Sequence, residues 1–368
     1  MENDSQFKQT NNQKSNQGST SQPSIPEAKH VIFHGKTGEY FAIWIVNVLL
    51  SIITLGIYSA WAKVRTQRYF NGNTEIEGHR FSYLAQPLQI LKGRVIALLI
   101  FAAFYLISSF SPMLTMLVLL IYFFAVPWFL CQSFRFNMRM TAYRNIRFNF
   151  HGQYIQAFLV FMIYPILSVF TLYLAMPLVL KSIDKFIYGN MSYGDKMFTA
   201  ELETSVYYKA AFGAVFIAIA MFVAAITFTG IEISSLADPS KQAESGMLFP
   251  LVLGVTYLAV FIISGAFYSK VVRNHLYEKT QVENIAMFKS TVTFGSLVWL
   301  NFSNLIILIC SVGLALPYVK IRRSLYFCQV THVTILSGME DVIADQSTDA
   351  SSVGDEVSEI FDFDVAIG

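Results

Sequence analysis

Seven long runs without a charged residue limit what this chain can become. They lie at about 40–62, 95–110, 113–131, 157–180, 210–231, 247–269 and 293–319, and none holds an Asp, Glu, Lys, Arg or His. A helix crosses the hydrocarbon core of a bilayer with about 20 apolar residues. The chain is 54% hydrophobic and 14% charged, against about 25% charged residues in soluble domains. A water-soluble enzyme is excluded. The expected fold is an all-α polytopic membrane protein of seven hydrophobic segments.

The charge is unevenly placed. Residues 339–368 hold nine acids and no base, while the whole chain has a net charge of +2. That acidic run and the Gln/Asn/Ser-rich residues 1–29 cannot bury enough apolar surface to order themselves. Both are expected to be disordered tails around a membrane domain at 30–338. No basic stretch with an early apolar core marks a cleavable signal peptide, so the first segment serves as its own anchor. Cys131, Cys310 and Cys328 have no paired spacing, so neither a disulfide framework nor a metal site is expected, and no cofactor.

The first, fourth and seventh apolar runs resemble one another. Phe33-His34-Gly35 recurs 117 positions on as Phe150-His151-Gly152, and Gly72-Asn73 recurs at the same offset as Gly189-Asn190. At an offset of 257, Asn47, Gly56, Lys63, Arg65 and Tyr69-Phe70 meet Asn304, Gly313, Lys320, Arg322 and Tyr326-Phe327. Three internal repeats are expected, at about 33–85, 150–202 and 290–338, separated by helical hairpins at 95–131 and 210–269. The segments entering the second and third repeats also share a dipeptide, Arg144-Asn145 and Arg273-Asn274. Partial alternation at His30–Phe33, Thr74–Tyr83, Asn145–Phe150, Tyr193–Glu201, Gln281–Phe288 and Gln329–Ile335 predicts a small cytoplasmic β-rich layer.

Basic residues in short loops mark the cytoplasmic side. If all seven segments cross, the basic loops fall on both sides. If the three repeated elements turn back before crossing, all the bases and both termini face the cytoplasm. Thr54-Leu55-Gly56, Pro165 with Pro177, and Gly313 with Pro317 disfavour a continuous helix there. Irregular backbone at membrane depth is tolerated where protein buries it.

The string from Glu39 to Asn47, then Thr54 to Arg65, Arg68-Tyr69-Phe70 and Asn73-Thr74, resembles the YjgN-like family of bacterial inner-membrane proteins; Leu91-Lys92-Gly93-Arg94 extends the match. The resemblance covers about 30–338. It implies a multi-pass bacterial inner-membrane protein of unknown function, with no catalytic or ligand residues to carry over.

Two sets of side chains are candidate sites. Trp61, Lys63, Arg65, Arg68 and Tyr69, with Lys320, Arg322 and Arg323, form aromatic-basic helix ends. Such ends anchor at the headgroup level or bind anionic lipid. Asn47, Thr54, Thr171, Asn304 and Ser311 are polar within apolar elements. They either bond helices together or line a narrow wet path. His34 and His151 fall at the same repeat position, where the third repeat has Thr291, and a strand-end role is expected. No nucleotide-binding, metalloprotease or nucleophile-elbow motif occurs.

The expected function is non-enzymatic: a passive transporter or channel-like protein for a small polar or lipidic solute. Its expected partners are membrane lipids with anionic headgroups, and no nucleic acid; self-association stays open. The alternative is a membrane scaffold or adaptor that recruits cytoplasmic partners.

Overall fold

The computed structural model describes residues 28–229, 248–340 and 342–343. The disordered-tail expectations and the acidic loop at 232–244 fall largely or wholly outside these residues.

Among the described residues, four helices are long and apolar enough to cross a bilayer. α3 (Pro87–Phe110) and α4 (Pro112–Arg139) form one antiparallel hairpin. α7 (Thr204–Thr229) and α8 (Leu248–Glu278) form the other. Proline opens both α3 and α4, where its missing N–H costs nothing. Ser111 joins them, with its side chain accepting from the N–H of Met113.

The other three apolar runs do not make long helices. Each folds into two short arms: α1 (Thr37–Ile53) with α2 (Ser59–Gly72), α5 (Tyr154–Phe170) with α6 (Met176–Gly189), and α9 (Phe294–Cys310) with α10 (Leu316–Gln329). α1 and α9 have 17 residues, and the second arms have 14. Seventeen residues reach about 25 Å, short of a core of about 30 Å. Pro165 lacks the N–H that would bond back along α5, and the helix widens to a π-turn at Leu159–Ile163 just before it.

The turns between arms share one geometry. Leu55 and Gly56, Leu172 and Tyr173, and Val312 and Gly313 all have positive φ. The N–H groups of Gly56, Tyr173 and Gly313 donate to Ser51, Ser168 and Leu308 carbonyls at 2.7, 2.8 and 2.8 Å. This is the helix-ending Schellman pattern. Leu55, Leu172 and Val312 stand 94%, 85% and 89% exposed at the three tips. Exposed apolar tips of this kind suit lipid and not water.

Eleven short strands join the helices. They are β1 (Lys29–His30), β2 (Ile32–Phe33), β3 (Thr74–Ile76), β4 (His79–Tyr83), β5 (Thr141–Tyr143), β6 (Ile146–Phe150), β7 (Met191–Tyr193), β8 (Lys196–Ala200), β9 (Thr280–Val282), β10 (Ala286–Ser290) and β11 (Thr331–Ile335). β2 to β11 form an antiparallel meander, and β1 returns to pair with β11. Only Val31 separates β1 from β2, and its N–H donates to the Thr331 carbonyl at 3.1 Å. The sheet therefore closes on itself through residues 29–33, which removes its free edges.

The ring has a filled interior. Phe81 faces Tyr143, Phe148 faces Tyr193, Phe198 faces Val282 and Phe288 faces Val333 across neighbouring strands. All belong to or pack against one core. Tyr143 donates to the Ile76 carbonyl at 2.8 Å, and Tyr193 to the Tyr143 carbonyl at 3.0 Å. Met339 and Val342, just past the boundary drawn at 338, are buried in the same core.

Strand alternation fixes the layout. Each helical pair leaves the ring after one strand and returns at the next, so all five pairs rise from one rim. The tight turns Glu77-Gly78, Arg144-Asn145, Gly194-Asp195 and Glu283-Asn284-Ile285 lie at the other. The helices pack around the ring in chain order, and α10 closes it against α1.

The expectation of an all-α fold with seven hydrophobic segments and a small strand layer is corrected. Four helices, not seven, have spanning length, and an eleven-stranded sheet organises the whole. The physical reason is that two to five residues suffice for each strand, so the sheet hides inside segments that read as loops. The dipeptide comparison also fails. Arg144-Asn145 forms a strand turn, while Arg273-Asn274 lies within α8.

Candidate functional site

α2 carries Lys63, Gln67 and Asn71 at successive spacings of four, which is one helical face, and Thr74 at the start of β3 continues the line. α10 presents Lys320, Arg323, Ser324 and Phe327 in the same manner. These two faces and the inner side of α1 line an open cavity of about 1000 Å³. A second cavity of about 660 Å³ shares Lys63, Gln67, Asn71 and Thr74 and meets Phe81, Phe148 and Met191, which pack on the strand core. A third, about 400 Å³, lies between α2, α3 and α4, with Lys63, Arg94, Arg135 and Arg139 in its wall. Lys63 borders all three, and among the described residues no Asp or Glu lines any of them.

The ion pairs among the described residues lie elsewhere. Glu75 takes His34 and Arg80, Glu77 takes Lys29, and Glu203 takes Lys279. The nearest partner of Lys320 is neutral: its Nζ lies 3.5 Å from the hydroxyl of buried Tyr40. Arg323 lies 5.5 Å from the Phe327 ring centroid. Cations over aromatic faces gain some electrostatic support, but their charge stays uncompensated. The chamber is therefore electropositive, with apolar walls from Trp44, Val48, Ile52 and Phe70.

Asn47 lies in this wall at 5% exposure. Its Nδ2 makes a long 3.5 Å contact with the Ala62 carbonyl. Its Oδ1 is buried without a hydrogen-bond partner. A buried polar atom left unpaired costs about 1–3 kcal/mol.

The remaining sequence candidates have local roles. Arg322 turns away from the chamber and donates to Ser303 Oγ at 2.7 Å and Asn304 Oδ1 at 3.1 Å. Arg68 donates to the Ala85 carbonyl at 3.0 Å. Arg65 is exposed outside the cavities. Trp61 packs with Ala60, Val64 and Tyr83. Tyr69 receives the Lys36 N–H at 2.8 Å and pins the start of α1. Thr54, Thr171 and Ser311 sit at three separate tips, where their hydroxyls accept the N–H groups of Tyr58, Ala175 and Ala315 at 2.9, 3.1 and 3.1 Å. They start the second arms and do not meet. The strand-end expectation for His34, His151 and Thr291 has a concrete form: they bond Glu75, Ser192 and His332 at 3.0, 3.0 and 3.2 Å.

Of the sequence candidates, the structure brings Asn47, Lys63, Lys320 and Arg323 together. Sequence reasoning missed Gln67, Asn71 and Ser324, although the stripe of Lys63, Gln67 and Asn71 on α2 was a legible signal. It also missed Arg94 and Arg135, which come from opposite arms of a long hairpin and share no local pattern.

A strand ring bearing four helices long and apolar enough to cross a bilayer among the described residues, with a basic chamber between the short arms α1, α2 and α10, has the make-up of a membrane protein. A family model described as "Bacterial protein of unknown function (DUF898)" matches residues 28–360, and the chain belongs to that family. It is 27% identical over 348 residues to inner membrane protein YjgN of Escherichia coli O157:H7, covering 79% of this chain and 84% of that protein. Inner membrane protein YjgN of E. coli K12 is 36% identical over 126 residues, 33% of this chain and 30% of that protein. The Salmonella typhimurium LT2 protein of that name is 28% identical over 147 residues, 40% of this chain and 37% of that protein. No solved structure matches.

Proposed function

We propose that this inner-membrane protein is a non-enzymatic, passive carrier that admits a small polar or lipidic solute from the bilayer side into the chamber between α1, α2 and α10. The observation that carries the reading is the cavity of about 1000 Å³, with Lys63, Lys320 and Arg323 in its wall and no carboxylate among the described residues that line it. The filled strand ring argues against a straight aqueous channel along its axis, and for entry between helices.

In this reading the three short helix pairs are copies of one module, supported by their equal arms and equivalent turns. They dip into one leaflet and return. The strand ring, its basic surroundings and both termini then face the cytoplasm, in keeping with the bias of Lys and Arg toward that side.

Flux of phosphate-bearing solutes and lipids across liposomes holding the purified chain tests the carrier reading. Wild-type flux reduced at least tenfold by Asn47→Leu supports it; no flux above protein-free liposomes rejects it. The packed ring favours a second reading, a scaffold that docks partners. Normal partner capture with no flux would select it.

A further inference from the structure

We infer that the chamber binds one anionic glycerophospholipid by its headgroup, with the phosphodiester at Lys63, Lys320 and Arg323 and a headgroup hydroxyl or N–H donating to Asn47. The inference deepens the carrier reading and rests on the same chamber.

Three observations converge on that chemistry. Three cations share one wall with no acid among its residues. Like charges gathered on one wall, exposed and without an acidic neighbour in it, favour an anionic occupant. Each base near an anionic lipid surface contributes about 1 kcal/mol.

The second observation is Asn47. Its Oδ1 is buried without a partner, and the residue belongs to the same wall as the cations. The corresponding residue of the third helix pair, Asn304, has its Oδ1 occupied by Arg322 at 3.1 Å. The position is thus able to take a donor within this fold, and in the first pair Arg65 does not supply it. A phosphodiester group by itself has no O–H donor for a carbonyl oxygen at neutral pH. A headgroup carrying both a phosphodiester and a hydroxyl or N–H satisfies both features.

The third is the apolar wall. Trp44, Ile52 and Phe70 line the cavity beside the cations. A free phosphate ester leaves such a wall against water, whereas acyl chains cover it. Burial of apolar surface gains about 25 cal/mol per Å². The shared chemistry, a phosphate ester with a neighbouring donor, could also come from a soluble ester, and the wall favours the lipid.

The full chain, purified in neutral detergent, would be titrated with phosphatidylglycerol, phosphatidylethanolamine and phosphatidylcholine of matched acyl chains, and with glycerol 3-phosphate, and read by native mass spectrometry. Phosphatidylcholine has no headgroup donor. We expect one saturable phosphatidylglycerol, bound at least tenfold tighter than phosphatidylcholine, with phosphatidylethanolamine between. Replacing Lys63, Lys320 and Arg323 together by Gln should weaken it on the order of 100-fold, while Lys196→Gln at a strand turn changes nothing. Asn47→Leu should narrow the preference over phosphatidylcholine, and Asn47→Ser serves if Leu disrupts folding. Equal affinity for phosphatidylglycerol and phosphatidylcholine in the wild type overturns the inference, whatever the variants do. Displacement of the lipid by equimolar glycerol 3-phosphate overturns it too, assigning the site to a soluble ester. Binding without flux removes the carrier reading alone; flux without binding removes this inference alone.

Discussion

Arg322 donates from its guanidinium to the Oδ1 of Asn304 at 3.1 Å, joining the two arms of the third helix pair. Asn304 is 7% exposed, so the bond lies away from water. Charge-assisted bonds contribute about 1.5–3 kcal/mol, and a buried partner left alone loses more. Arg322→Gln should lower stability by about 1.5–3 kcal/mol. Asn304→Leu should cost a similar amount, with the double variant well short of the sum. Melting in detergent, read as a double-mutant cycle, measures the coupling. Additive effects would refute it.

The helix-pair tips make a prediction of opposite signs. Gly56 and Gly313 have φ of 90° and 83°, and a Cβ at either would meet nothing within 4 Å. Gly56→Ala or Gly313→Ala should therefore cost about 1 kcal/mol through the backbone alone. Tyr173 holds the same turn position at φ 62°. Tyr173→Gly should be neutral to stabilising, by up to about 1 kcal/mol. Melting points of the three variants in one detergent decide the matter.

Ring closure should weaken in acid. The His332 ring lies 4.2 Å from that of His30, where β1 meets β11. Burial, then His30 and Lys289, hold its pKa below the ordinary 6.5. As pH falls through 6.5 the unfolded chain takes up a proton that the folded chain resists. Stability is therefore complete above 6.5 and lost progressively below it, toward the depressed folded value. Melting midpoints should drop between pH 7 and 5.5. His332→Gln should flatten that slope; an unchanged slope would assign it to other groups.

The filled interior predicts that the ring is a core and not a pore. Tyr193 sits inside it, its hydroxyl on the Tyr143 carbonyl, and burial raises the phenol pKa of both tyrosines, that of Tyr143 to about 12. Tyr193→Phe should cost about 1 kcal/mol. Met339→Asp, which buries a carboxylate, should cost several. A neutral Met339→Asp would mean that the segment does not close the ring.

Layout can be read by labelling. In a chain with its native cysteines replaced, Asp195→Cys and Glu283→Cys should react with an impermeant maleimide from the same side, because both lie at the rim opposite the helices. Restored Cys310, exposed just before a helix-pair tip, should react with a lipid-soluble reagent and resist the impermeant one from either side. Labelling of Asp195→Cys and Glu283→Cys from opposite sides would break the layout.

The sequence alone determined the solvent. Uncharged runs such as 210–231 and 247–269 have the length of a bilayer span, and Pro112, between 95–110 and 113–131, sets the first hairpin. It also carried the equivalence of Thr54, Thr171 and Ser311, because a helix-ending turn has a local signature. The sheet ring was only partly legible. Strands of two to five residues carry little periodic signal, and their partners are distant: Lys29 pairs with Val333, and Phe198 with Val282. Tertiary structure likewise decided which bases gather. Lys63 and Lys320 reach one chamber, whereas Arg322, two residues from Lys320, turns to Asn304. A basic run in one dimension does not say which side of a helix will find a neighbour. That choice is made only when the strand ring closes and sets α10 against α1.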